Sequence, residues 1–138
     1  MSRDQMDVLL DDGIQSAKHF LETRGEFFPF AVVMKRNGEI KHVQLYPEDE
    51  RPSSDAVVEK LVTALRQTRA EDDLISIAIV SDVRLPKFQQ THEVDAIRVE
   101  LDDLEAQPVT CYLPYELASG VIALGEMRAT RGESRVFR

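Results

Sequence analysis

Six side chains able to do acid–base or ligand chemistry crowd one short stretch of this chain: Asp82, Arg84, His92, Glu93, Asp95 and Arg98. Imidazole titrates near neutrality, so His92 beside carboxylates has the chemistry of a general base or a metal ligand. Asp82, His92, Asp95 and Arg98 are therefore the candidate catalytic residues, in a small hydrolytic or metal-assisted enzyme. Against that stands the usual need of metal sites for three or four converging ligands, and His92 is the one strong nitrogen donor here. The ordinary alternative is an exposed loop histidine among surface ion pairs, each worth ~0–1 kcal/mol. No metal and no cofactor is expected.

The other chemically suggestive residues read as structure. Asp102-Asp103-Leu104-Glu105 and Glu48-Asp49-Glu50 lack the alternating carboxylates and central glycine of a calcium loop, and both are expected as solvated turns. His19 and His42 have no spaced histidine or cysteine partner. The single cysteine, Cys111, excludes an intramolecular disulfide framework and a thiolate zinc site. It falls in line with apolar neighbours, which points to inert packing. Nucleophile-elbow, phosphate-loop, zincin and dinucleotide patterns do not occur.

The elements that must position these residues are organised around Leu74 to Val83. That run is apolar on both alternating faces and β-branched, as a strand covered on both sides would be. The chain before it reads as material packed on one side, and the chain after it as further sheet. From Asp4 to about Thr23, apolar residues recur every three or four positions, predicting a helix with Asp4 or Ser2 as N-cap and Gly25 at its end. Phe27 to Tyr46 predicts a hairpin, with Asn37-Gly38 in a two-residue type I′ turn. Ser53 or Ser54 caps a second helix that stops near Ala70. A loop of about ten residues, Arg84 to Glu93, leads to a strand at Asp95 to Leu101. Ile97, Val99 and Leu101 alternate there against a wet face of Ala96, Arg98 and Glu100. Val109, Cys111 and Leu113 mark another strand; after it Gly120 to Ala129, apolar at Val121, Ile122 and Leu124, is expected to turn at Arg131-Gly132-Glu133-Ser134 so that Val136-Phe137 returns as a short final strand. The expected fold is α+β, one domain over residues 1–138, with a mainly antiparallel sheet of five to six strands and two helices in the order αββαβββ(β).

This element order is similar to roadblock/longin and profilin-like domains. Asp95-Ala96-Ile97-Arg98, Pro114-Tyr115 and Val136-Phe137 also resemble a group of small uncharacterised bacterial proteins. Neither resemblance implies an activity.

Net charge is −8 over 138 residues, which argues against nucleic acid or an anionic membrane as partner. The charge is uneven: from residue 127 on, Arg128, Arg131, Arg135 and Arg138 stand against Glu133, a local +3 that leaves −11 elsewhere. Such a basic segment is expected to dock on its own acidic domain or on a neighbouring copy. No apolar run is long enough to span a bilayer and the start of the chain lacks a secretory pattern, so a cytoplasmic protein is expected. The functional expectation is a non-enzymatic, homodimeric interaction module of adaptor or immunity type, with an acidic surface for a basic protein partner. The enzyme above and a small-ligand sensing domain, with a cleft between the first helix and the sheet, are the alternatives.

Overall fold

The computed structural model describes residues 2–45, 53–86 and 93–138. Tyr46, the acidic loop at Glu48-Asp49-Glu50, and His92 lie outside the described residues. Helix α1 (Ser2–Arg24) holds Asp4 inside its first turn, not at a cap, where the carboxylate favours the helix dipole. It buries Met6, Leu9, Ile14, Ala17 and Leu21, the apolar stripe of an amphipathic helix. Gly25 ends it at φ +79°, donating its N–H to the Leu21 carbonyl at 2.9 Å, a left-handed step that costs glycine no Cβ clash.

Strands β1 (Phe30–Lys35) and β2 (Ile40–Val43) form the expected hairpin, but its turn is not type I′. Gly38 is at φ +92° whereas Asn37 does not have a positive φ. Gly38 donates to the Lys35 carbonyl at 2.8 Å and Lys35 donates to Glu39 at 2.9 Å. This is the three-residue loop in which a type I turn is followed by a left-handed glycine. Asn37 Oδ1 instead accepts the Glu39 N–H at 2.9 Å. Of the neighbouring aromatics, Phe27 and Phe30 are buried and Phe28 faces solvent.

Ser53 caps α2 (Ser54–Thr68), its hydroxyl accepting the Ala56 N–H at 3.2 Å. The remaining strands are β3 (Leu74–Pro86), β4 (Glu93–Asp103), β5 (Val109–Ala118), β6 (Val121–Leu124) and β7 (Arg128–Arg131). The sheet runs β2-β1-β3-β4-β5-β6, with β7 also on β5, and every pairing is antiparallel. The α+β class holds, with seven strands where five to six were expected. The stretch Gly120 to Ala129, expected as one arm, holds Val121–Leu124 and the start of Arg128–Arg131. Val136-Phe137 is not a strand, because side chains take up its backbone groups.

β3 is central, between β1 and β4, and Leu74 to Val80 is buried throughout. The helices cover opposite faces of it, correcting the expectation that the elements before it share one side. Ala78 and Val80 pack with Leu9 and Leu21 of α1, whereas Ile77 and Ile79 pack with Leu61 and Leu65 of α2. Strand alternation sends successive residues to opposite faces, so a run apolar at every position needs a helix on each. β1 reaches only Val80, and from Ser81 onward β4 is the strand beside β3.

β6 and β7 are one returning strand broken in the middle. Tyr112 faces Arg128 and Tyr115 faces Leu124, so three steps on β5 meet four on the returning chain. The extra residue falls beside Pro114, whose carbonyl accepts the Gly125 N–H at 2.7 Å. Proline has no N–H to give back there, so the ladder cannot continue unbroken.

Candidate functional site

The long β3–β4 pairing positions the polar cluster. Asp82 lies opposite Ile97, on the α1 side of the sheet, and Asp95 shares that face two residues earlier on β4. Asp82 Oδ1 accepts the Tyr115 hydroxyl at 2.8 Å. Arg84 and Asp95 form a surface ion pair, N···O 3.6 Å. Arg98 is on the other face, donating to Ser81 Oγ at 3.1 Å and sitting 3.9 Å from Glu100. Both Arg84 and Glu93, expected in a loop, belong to strands. The structure thus brings Asp82, Asp95 and Arg84 together at one end of the sheet and turns Arg98 away.

Burial pushes the Asp82 carboxyl above its ordinary range, and the negative Asp95 and Glu26 push it the same way against the Tyr115 hydroxyl and Arg84. Burial also pushes the Tyr115 phenol upward, helped by its hydrogen bond to Asp82. Carboxyl and phenol thus both hold their protons more tightly than their free counterparts. Among the described residues, no group of three or more histidine, cysteine or acidic side chains is arranged to hold a metal.

A folded pKa above the unfolded one means that the native state binds the proton more tightly. Stability from Asp82 is then present in full below the ordinary carboxylate range and is lost as pH rises through the raised value. Asp82→Asn removes that dependence and still accepts from Tyr115. The variant should match or exceed the parent in thermal stability at neutral pH, with the difference moving in favour of the parent as the pH is lowered through the shifted window. Parallel melting curves across pH, with no change in the difference, would contradict this.

The acidic pair expected as a solvated turn is buried instead, the two charged groups most withdrawn from solvent among the described residues. Asp102 is 2% exposed and Asp103 1%. Asp103 Oδ1 accepts the N–H groups of Glu105 and Ala106 at 2.9 and 3.0 Å, closing the β4–β5 turn. Asp102 reaches the segment after β7. Its oxygens accept the Ser134 hydroxyl at 2.9 Å and the backbone N–H groups of Val136 and Phe137 at 3.0 and 3.1 Å, and Oδ1 also takes the Asp103 N–H at 3.0 Å.

α2 completes a cleft around that segment, which seats beside it on the same face. Arg66 donates to the Arg135 carbonyl and Arg69 to the Val136 carbonyl at 2.5 Å. Arg135 spans Glu59 on α2 and Glu100 on β4. Val136 enters the α2-side core. The basic segment therefore docks on its own domain, and the Arg98–Glu100 face expected to be wet is partly covered.

Concave surface lies elsewhere among the described residues. A pocket of about 530 Å³ opens at the Pro114 break, lined by Leu85, Val94, Tyr112, Leu124 and Arg128 among others. A shallow groove of about 540 Å³ runs between α1 and β2 past His19 and His42. There His42 Nε2 lies 2.6 Å from Asp12 Oδ1, and the Ser16 hydroxyl donates to that same oxygen at 3.4 Å. The aspartate stands between serine and histidine, so this contact does not give the hydroxyl the histidine base that a nucleophilic triad requires. Cys111 is buried in the α1-side core, and burial pushes its thiol up, away from the reactive thiolate.

Compared with protein families, curated proteins and solved structures, the chain finds no match.

Proposed function

We propose that this protein is a non-enzymatic interaction module, homodimeric, of adaptor or immunity type, with an acidic body suited to a basic protein partner. One observation carries the reading: the β6 edge is apolar and unguarded. Val121 is 65% exposed, with Leu124, Leu117 and Met127 exposed around it. Val121–Leu124 carries no charge. Edge strands ordinarily carry lysine, proline or another charge that blocks pairing with a second sheet. β7 has Arg128 and Arg131, and β2 at the far edge has Lys41, so β6 is the strand left open to pairing. Apolar side chains grouped at such an edge mark a contact surface.

Light scattering should return a dimer mass for the parent and a monomer mass for Val121→Lys, with unchanged far-UV circular dichroism. A monomeric parent at high protein concentration would remove the reading.

Small-ligand sensing is the second reading, favoured by the pocket at the Pro114 break, whose volume is within the ~300–1,000 Å³ of ligand sites. It would place the ligand among β3, β4, β5 and the break between β6 and β7 rather than under α1. The hydrolytic alternative is not adopted, since Asp82 is already bound to Tyr115 and Arg98 faces the other way.

A further inference from the structure

We infer that the cleft between α2 and β4 is a recognition site for a basic peptide segment with a bend at its centre, occupied in cis by residues 134–138. The inference deepens the interaction-module reading by naming where a basic partner is held, and it rests on that reading.

The cleft captures main chain with side chains. Asp102 takes two consecutive backbone N–H groups, from Val136 and Phe137. Arg66 and Arg69 give to two consecutive carbonyls, those of Arg135 and Val136. A strand added to a sheet edge would satisfy these groups through a ladder. Here donors and acceptors come from side chains of the cleft, so any chain of the same shape can replace the occupant. Such sites draw affinity from the backbone and selectivity from the side-chain pockets.

Three pockets define the selectivity. Both oxygens of Asp102 meet the Ser134 hydroxyl, calling for a small hydroxyl residue. Glu59 and Glu100 flank Arg135 from two elements, calling for a cation. The α2-side core takes Val136, 2% exposed, with Phe137 packed beside it, calling for two apolar residues. The partner segment therefore has the form Ser/Thr–Arg–aliphatic–apolar. Gly132 anchors the chain just ahead of the cleft, its N–H donating to the Pro108 carbonyl at 3.0 Å.

The test uses the full chain and a fluorescein-labelled peptide, Gly-Glu-Ser-Arg-Val-Phe-Arg, identical to residues 132–138. In the parent the cis segment competes at an effective concentration in the millimolar range, so the peptide binds weakly. The double variant Arg135→Glu/Val136→Asp disables the cis segment and leaves the cleft intact. Fluorescence anisotropy should show the peptide binding this variant at least ~10-fold more tightly than the parent. Binding should be lost when Asp102→Ala is added, or when the peptide carries glutamate in place of its first arginine. Equal binding to parent and double variant, or binding that survives Asp102→Ala, overturns the inference. If the double variant is unfolded, recovery of its circular dichroism on adding peptide supports the site, and no recovery overturns it. The Val121→Lys light-scattering comparison reads the β6 edge alone, so failure of the peptide result and failure of the module reading are separable.

Discussion

Asp102→Ala is expected to cost ~3–5 kcal/mol of stability and to release the segment after β7. The carboxylate is 2% exposed and gathers the Ser134 hydroxyl and the N–H groups of Asp103, Val136 and Phe137. Hydrogen bonds to a charged acceptor contribute about 1.5–3 kcal/mol each, and they are not additive when they share one group. Alanine leaves buried N–H groups of Val136 and Phe137 without their acceptor, and those groups must then find water. Val136 would have to leave the core with them, uncovering Ile77 and Leu61. Domains of this size have a total stability of about 5–15 kcal/mol, so a large share is at stake. Urea denaturation reads the loss. Trypsin reads the release, because cleavage after Arg135 should accelerate well before global unfolding. A shift below ~1 kcal/mol with unchanged cleavage at Arg135 would show that the clamp is dispensable.

That aspartate is also where the sequence is least legible, for a physical reason. Asp102-Asp103 precedes Leu104-Glu105-Ala106-Gln107-Pro108, and composition of that kind is typical of a solvated turn. Apart from the Asp103 N–H, the groups that satisfy Asp102 lie more than thirty residues downstream, beyond any local pattern. Only the strand register, which sets Asp102 opposite Ile77, reveals that its side chain points inward. Glu100 and Arg98 read as a wet face for the same reason, since the segment that partly covers them is remote in sequence. By contrast, the centrality of β3 is legible because a run apolar at every position needs cover on both faces wherever the cover comes from. Which helix supplies which face is not, because periodicity reports that a stripe is buried without saying against what. In the polar cluster, the strand pattern brings Asp82 and Asp95 to one end of the sheet. It does not bring in Tyr115, because the expected strand ends at Pro114 whereas β5 runs on to Ala118, and because its hydroxyl partner depends on the sheet order.

The close approach of α1 to β3 gives the second large effect. A Cβ placed on Gly13 would sit 2.8 Å from Val80 Cγ2, nearer than carbon atoms tolerate. Val80 is fully buried, with Phe30 opposite on β1 and Val99 opposite on β4, and its β-branched side chain is stiff at χ1. In an exposed helix interior, glycine to alanine stabilises by about 1 kcal/mol. At position 13 the sign should reverse, since overpacking a filled core costs about 1–3 kcal/mol. Gly13→Ala should therefore lower the denaturation midpoint. Val80→Ala alone should also destabilise, by leaving a cavity. Combined, the two should cost measurably less than the sum of the singles, because the new methyl enters the space that Val80 vacated. Such a favourable coupling is the mark of direct contact. An additive double variant, or a Gly13→Ala chain more stable than the parent, would mean that α1 can lift off β3 without penalty, and that the seat of the helix is set elsewhere along its stripe.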